Sequence, residues 1–222
     1  RWQHPELGAI PPSRFIPLAE ECGLMGPLAR WLLDEACRQL AQWRRDGLAI
    51  PAVSVNLSAS NFHSLELPAL VAQALERHGL QAPDLVVELT EGILLDSHGS
   101  TLQTVERLHA QGVRLSMDDF GTGYSSLSYL RRLPISELKL DRSFVADLEH
   151  APTARALSAA ILGIGTSLGL TVVAEGVETA AQNGILQAQG YPVAQGYWFA
   201  RPMAPPELER WMATQAAAVP AP

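Results

Sequence analysis

Short apolar runs alternate along this chain with longer stretches in which apolar residues return every three or four positions. The short runs predict strands over Ala52–Leu57, Leu85–Leu89, Val113–Met117, Glu137–Leu140, Thr171–Ala174 and Val193–Gln195. The longer stretches predict helices near 17–46, 64–79, 98–111, 124–132, 152–168, 178–190 and 205–215. Strands nearly continuous in apolar residues suit a parallel sheet covered on both faces. Regular alternation of strand and helix means βαβ units with right-handed crossovers. No linker or fixed-period repeat divides the sequence. One α/β domain is expected over 1–215, with 216–222 as a tail or linker.

A further strand entering at Arg1-Trp2 brings the pattern close to a (β/α)8 TIM-like barrel; an open doubly wound sheet is the alternative. The polar positions favour the barrel. Asn56, Glu88, Asp118, Lys139, Glu175 and Gln195 all stand at or just past the C-terminal ends of their strands. Barrel enzymes build their sites at that face from several strand ends, whereas an open sheet gathers its ligand at one switch point.

The densest chemistry lies in Met117-Asp118-Asp119-Phe120-Gly121-Thr122-Gly123. Adjacent carboxylates repel each other unless cations or hydrogen bonds hold them. Glu88, flanked by aliphatic residues, needs a partner once buried. With the Asn56 amide, Glu88, Asp118 and Asp119 make an oxygen-donor set from three consecutive strands, suited to Mg²⁺ or Mn²⁺. Lys139, between two leucines, reads either as a group that holds water and neutralises charge or as a buried salt-bridge partner. Glu175 and Glu178 bracket Gly176, whose missing side chain lets the turn approach a ligand. Glu178 has a second reading, as an acid at the start of a helix. Gln195 closes the series with another amide.

Charge and cysteine content narrow the class. Twenty-three acidic against sixteen basic residues leave a formal charge of −7, without the basic stripe of a DNA or RNA binder. An anionic substrate stays open, because bound divalent cations invert the local field. Cys22 and Cys37, both in helix-like sequence, read as buried free thiols. The stretch Ala156–Ala174 carries no charge, yet its glycines and hydroxyls mark a buried helix–strand pair rather than a membrane span. No signal peptide opens the sequence, and a cytoplasmic domain without membrane contact of its own is expected.

Taken together, the segments Val55-Asn56-Leu57-Ser58, Glu88-Leu89-Thr90-Glu91, Asp118 through Leu127, Lys139-Leu140-Asp141, Ala174 through Glu178 and Gln195-Gly196-Tyr197 resemble the EAL domain of bacterial signalling proteins. That resemblance covers essentially the whole chain, from Arg1 to Pro202. It implies a modified barrel whose first strand runs antiparallel to the others and is truncated here. It also implies hydrolysis of cyclic di-GMP to linear pGpG with two Mg²⁺ or Mn²⁺ ions. On this resemblance Asn56, Glu88 and Asp118 match ligands of one ion and Asp119 a ligand of the second. Lys139 and Glu175 match residues that position or activate the attacking water, Glu175 also beside the metals, and Gln195 matches a water-holding amide. Arg1 matches an arginine on the substrate phosphate, with Asp141 and Gln195 also on the substrate side. Glu91 matches the residue that steadies the loop after Asp119, with Thr90, Gly121, Gly123 and Glu178 in support. The loop and helix after Asp119 match a homodimer surface, and an upstream sensory or GGDEF-type domain is implied in the parent chain. The glutamate of the family's Glu-Ala-Leu motif falls just before the position of Arg1, so the sequence is expected to be clipped. The alternatives are a catalytically inactive cyclic di-GMP receptor and a structural dimerisation module.

Overall fold

In the computed structural model, which describes residues 2–95, 99–121 and 130–218, the chain opens with a small antiparallel ribbon of β1 (Trp2–His4) and β2 (Gly8–Ile10). Six parallel strands then lie side by side in sequence order: β3 (Val53–Asn56), β4 (Leu85–Thr90), β5 (Arg114–Phe120), β6 (Glu137–Leu140), β7 (Thr171–Ala174) and β8 (Val193–Ala194). They curl into half of a barrel. The helices are α1 (Pro12–Glu21), α2 (Met25–Arg45), α3 (Ala59–Phe62), α4 (Leu67–His78), α5 (Glu91–Leu95), α6 (Gly99–Ala110), α7 (Arg142–Ala146), α8 (Pro152–Ser167), α9 (Ala180–Gln189) and α10 (Pro205–Ala218).

Register sorts the strand residues onto two unlike faces. Val55 pairs with Val87, Val87 with Leu115, Met117 with Leu138, and Leu138 with Val172. These side chains are buried and form the core beneath the helices. The intervening positions pair Asn56 with Glu88, Glu88 with Ser116 and Ser116 with Glu137, with Lys139 two residues further along β6. The polar residues expected at the strand ends thus share one face of the sheet. One face is apolar, and the other carries a polar layer, because neighbouring strands in register point the same positions the same way.

The long expected helix over 17–46 is two helices. The first begins earlier, at Pro12, since proline fits the first turn of a helix. It stops at Cys22, where Gly23 takes φ +67° and turns the chain into α2. In α2 the residues Met25, Ala29, Leu33, Cys37 and Leu40 recur on one stripe and are all buried. Cys37 is fully buried, and burial pushes its thiol up to about 11. Cys22 is exposed at a helix end, contrary to its reading as a buried thiol. The expected helix over 124–132 lies mostly outside the described residues. The last helix runs on to Ala218. Among the described residues no helix is long and apolar enough to cross a membrane; the uncharged stretch from Ala156 is the body of α8 followed by β7.

Two glycines of α8 make opposite demands. A Cβ on Gly165 would stand 2.3 Å from Val172 Cγ2, because the helix lies flat on β7 there, while Gly163 faces open space. Gly163→Ala is expected to stabilise the fold by about 0.5–1 kcal/mol through helix propensity. Gly165→Ala is expected to cost about 1–3 kcal/mol by overpacking. Thermal or urea unfolding of the two variants checks both signs.

Candidate active site

The polar face reaches the C-terminal end of the sheet around one ammonium group. Lys139 Nζ lies 2.6 Å from Glu175 Oε1, 2.8 Å from Glu88 Oε2 and 3.3 Å from Asp118 Oδ2. The acids come from β4, β5 and the residue after β7, so the lysine ties three strands together across β6. Its side chain is 7% exposed and that of Glu88 6%. Burial works against the lysine's charge, but the hydrogen bonds to Glu175 and Glu88 outweigh it and hold the ammonium above the ordinary lysine range. Glu175 is raised: burial first, then the charges of Asp118 and Glu88, together outweigh the pull of Lys139. Removing the lysine from such a buried set leaves its acids uncompensated, which typically costs about 3–5 kcal/mol.

The two adjacent aspartates are separated by a break in the strand. β5 continues to Phe120, three residues past its expected end, and its register with β6 shifts between Met117 and Phe120. Bulges of this kind re-aim a side chain. Asp119 takes φ 56°, the sole positive φ outside glycine among the described residues. An aspartate in that left-handed region is tolerable but strained. Its N–H donates to Asp118 Oδ1 at 3.0 Å, so the backbone of one acid steadies the carboxylate of the other. Burial, then the charges of Asp118 and Asp141, push the Asp119 carboxyl above the usual range.

The turn that follows is pinned from two sides. Buried Glu91, at the start of α5, accepts the Gly121 N–H at 3.1 Å. Above Gly121, at φ +97°, a Cβ would meet the Phe144 ring at 2.7 Å, so only glycine fits beneath that ring. Thr90 is the register partner of Asp118. Phe144 belongs to α7, whose N-cap is Asp141, accepting the Ser143 N–H at 3.0 Å. Burial would raise the Asp141 carboxyl, but the Ser143 and Arg142 contacts leave it below its ordinary value.

On the other flank, Gln195 Nε2 donates to Glu175 Oε1 at 3.2 Å, and its N–H donates to the Ala174 carbonyl. Asn56 stands beside Glu88 in register and is exposed. The side chain of Glu178 is exposed, and the cap of α9 is Thr179, paired with Gln182. The helix-start role left open for Glu178 thus belongs to its neighbour. Arg1 and Gly123 lie outside the described residues.

An aromatic run follows the last strand end. Tyr197, Trp198 and Phe199 follow directly after Gln195-Gly196 and are all exposed. The Arg201 guanidinium sits 4.7 Å from the Tyr197 ring centroid. Three consecutive aromatic residues in a chain with 6% aromatic content were a visible signal. The run stands outside the series of acids and amides because none of its three side chains is a carboxylate or an amide.

Among the described residues no three acids, thiols or imidazoles stand open as a cation cage. Glu88, Asp118 and Glu175 are turned onto Lys139 instead. The donor chemistry nonetheless fits a hard divalent cation, since Glu88, Asp118 and Glu175 together outweigh the charge of the lysine they surround. Two grooves of about 730 and 620 Å³ beside α1 and α2 share no residue with this cluster, and the chemistry places the site at the acids rather than in those grooves.

The sequence and the fold are similar to those of known proteins. The oxygen sensor protein DosP of Escherichia coli is 47% identical over 214 residues, covering 96% of this chain and 27% of that protein. MucR of Pseudomonas aeruginosa, a bifunctional diguanylate cyclase/cyclic di-GMP phosphodiesterase, is 46% identical over 208 residues, covering 94% of this chain and 30% of that protein. The chain thus spans less than a third of the length of either curated relative. The solved PaMucR phosphodiesterase, in complex with c-di-GMP, matches with a TM-score of 0.88 at 46% identity, over 94% of this chain and 84% of that one. The model of the family described as the EAL domain matches residues 1–202, which takes in every strand end that meets at Lys139, and the chain belongs to that family.

Proposed function

We propose that this domain is a phosphodiesterase that hydrolyses cyclic di-GMP to linear pGpG with two bound Mg²⁺ or Mn²⁺ ions. The observation that carries the reading is the convergence of Glu88, Asp118 and Glu175 on buried Lys139, with Asp119 turned aside by the bulge. Support comes from the relative named as a cyclic di-GMP phosphodiesterase and from the solved relative in complex with c-di-GMP. When bound, the ions supply Lewis acidity and lower the pKa of the attacking water.

Each residue then has a task. Asn56, Glu88 and Asp118 would hold one cation, and Asp119 would hold the second together with Glu175. Lys139, Glu175 and Gln195 orient the water for attack at one phosphorus. The new bond is P–O from water, the bond broken is that to the ribose 3′ oxygen, and that oxygen leaves with a proton as a free hydroxyl. One of the two phosphodiesters stays intact, so the product is linear and carries a 5′ phosphate. Arg1 and Asp141 serve the substrate side. The flat faces of Tyr197, Trp198 and Phe199 suit stacking on guanine. Glu91, Thr90, Gly121, Gly123 and Glu178 keep the turns in place. In the whole protein the domain sits in the cytoplasm, dimerises through the segment after Asp119 and answers to an upstream sensory or GGDEF-type domain.

A second reading, a cyclic di-GMP receptor without turnover, is favoured by one observation: the acids are closed on Lys139 rather than open to a cation. Product analysis separates the two. With cyclic di-GMP and Mg²⁺ or Mn²⁺, chromatography is expected to resolve pGpG. Asp118→Asn is expected to lower the rate by at least about a hundredfold, as loss of a charged metal ligand should. Nucleotide binding without product under the same conditions would establish the receptor instead.

Asp119 also links function to stability. Its carboxyl is held above the usual range, so the unfolded chain gives up this proton at a lower pH than the folded one. The resulting cost to folding is absent below the ordinary carboxylate pKa, grows as pH rises towards the raised value and is present in full above it. Asp119→Asn removes that charge and keeps a residue type that tolerates positive φ. Without divalent cations the variant is expected to melt above the wild type at pH 7, and the gap should close on acidification. Calorimetric melting in EDTA across pH checks both.

A further inference from the structure

We propose that Arg142 is a substrate-binding residue whose guanidinium takes a phosphodiester of the cyclic dinucleotide. This rests on the cyclic di-GMP reading above, in its hydrolysing or its receptor form, and adds a contact that the series of strand-end acids and amides does not contain.

Arg142 is the first residue of α7, directly after the N-cap Asp141. What it touches fixes its base. A Cβ on Gly176 would stand 2.4 Å from Arg142 Cβ, 3.2 Å from its Cα and 3.7 Å from its Cγ, so the stem lies against the turn after Glu175. Two residues on, the Phe144 ring lies over Gly121, in the turn after Asp119. α7 is thus packed against both acid-bearing turns, and the arginine starts from a rigid footing between them.

The charged end is placed differently. Arg142 is exposed, and among the described residues its guanidinium makes no hydrogen bond or ion pair. Its field still reaches the site, where it pulls down on the carboxyls of Asp119 and Asp141. A guanidinium that only balanced those acids would sit in contact with one of them. Lys139 already pairs with the buried acids, and Arg201 lies over the Tyr197 ring. Arg142 is left as an open cation at the edge of an acidic cluster. Its planar fork of N–H donors matches the two free oxygens of a phosphodiester. A substrate with two negative charges is repelled by carboxylates, and a cation at their edge offsets that repulsion.

The test is Arg142→Met, which keeps the stem on Gly176 and removes the fork. Affinity is read by calorimetric titration with cyclic di-GMP in EDTA, or as KM in the product assay above if the wild type binds too weakly for calorimetry. The variant is expected to bind about tenfold more weakly than the wild type, as loss of a charge-assisted pair should. The ratio between the two is expected to narrow as NaCl rises from about 0.05 to about 0.5 M, because salt screens a charge–charge contact at the surface. The melting temperature is expected to stay within about 2 °C of the wild type, since the group removed is exposed. Equal affinity in a wild type that binds or hydrolyses cyclic di-GMP overturns the proposal and leaves the cyclic di-GMP reading standing. A weaker variant whose ratio ignores salt assigns the guanidinium to the neutral guanine edge and overturns the phosphate contact. A larger fall in melting temperature assigns Arg142 to the fold and overturns it as well. A wild type that neither binds nor hydrolyses cyclic di-GMP overturns both the proposal and the reading beneath it.

Discussion

A buried ammonium shared by acids from three strands constrains this structure more than any single apolar contact. Charge at that depth is tolerable only when paired and hydrogen-bonded. Lys139 meets the condition through Glu88, Asp118 and Glu175, which requires β4, β5, β6 and β7 to keep their mutual register. A slip of one residue on any of these strands would send its polar residue into the apolar layer beneath the helices. The ion cluster and the core thus depend on the same alignment. Val87, Leu115, Leu138 and Val172 stay inside because Glu88, Ser116, Lys139 and Val173 occupy the other face.

Around that cluster, backbone geometry does what side-chain chemistry cannot. Two adjacent aspartates on a regular strand would point to opposite faces. The register shift after Met117 and the positive φ of Asp119 change that alternation. Close contacts then hold the neighbouring turns. Gly121 fits under Phe144, and a Cβ on Gly176 would strike Arg142 Cβ at 2.4 Å. Both contacts come from α7, a five-residue helix that sits between the turn after Asp119 and the turn after Glu175. One short element therefore spaces two acid-bearing turns on either side of the lysine.

Much of this was legible in the residue order. The six parallel strands, their helical crossovers and the polar residues at the strand ends follow from periodicity and from the positions of acids and amides. What was not legible depended on contacts between distant residues. The split at Gly23 was hidden because the apolar spacing continues across it, and only the positive φ reveals the turn. α5 and α7 are too short to show a helical period. β5 looked finished at Met117 because acids normally mark a strand's end, yet pairing with β4 continues through Asp118. Lys139 had two open readings in the sequence, and the distances favour the buried ion pair.

By itself the sequence determined which groups the site has: oxygen donors, one lysine, a glycine turn after two acids, and an excess of negative charge. These are properties of composition and order, and no folding can add to them. Only the tertiary structure decided how the groups are used. It brought Glu88, Asp118 and Glu175 to one ammonium, gave the α9 cap to Thr179 rather than Glu178, and left Tyr197, Trp198 and Phe199 exposed. The reason is physical. Pairing between strands fixes which residues share a face and how far apart they stand, and electrostatic and hydrogen-bond energies depend on those distances rather than on separation along the chain.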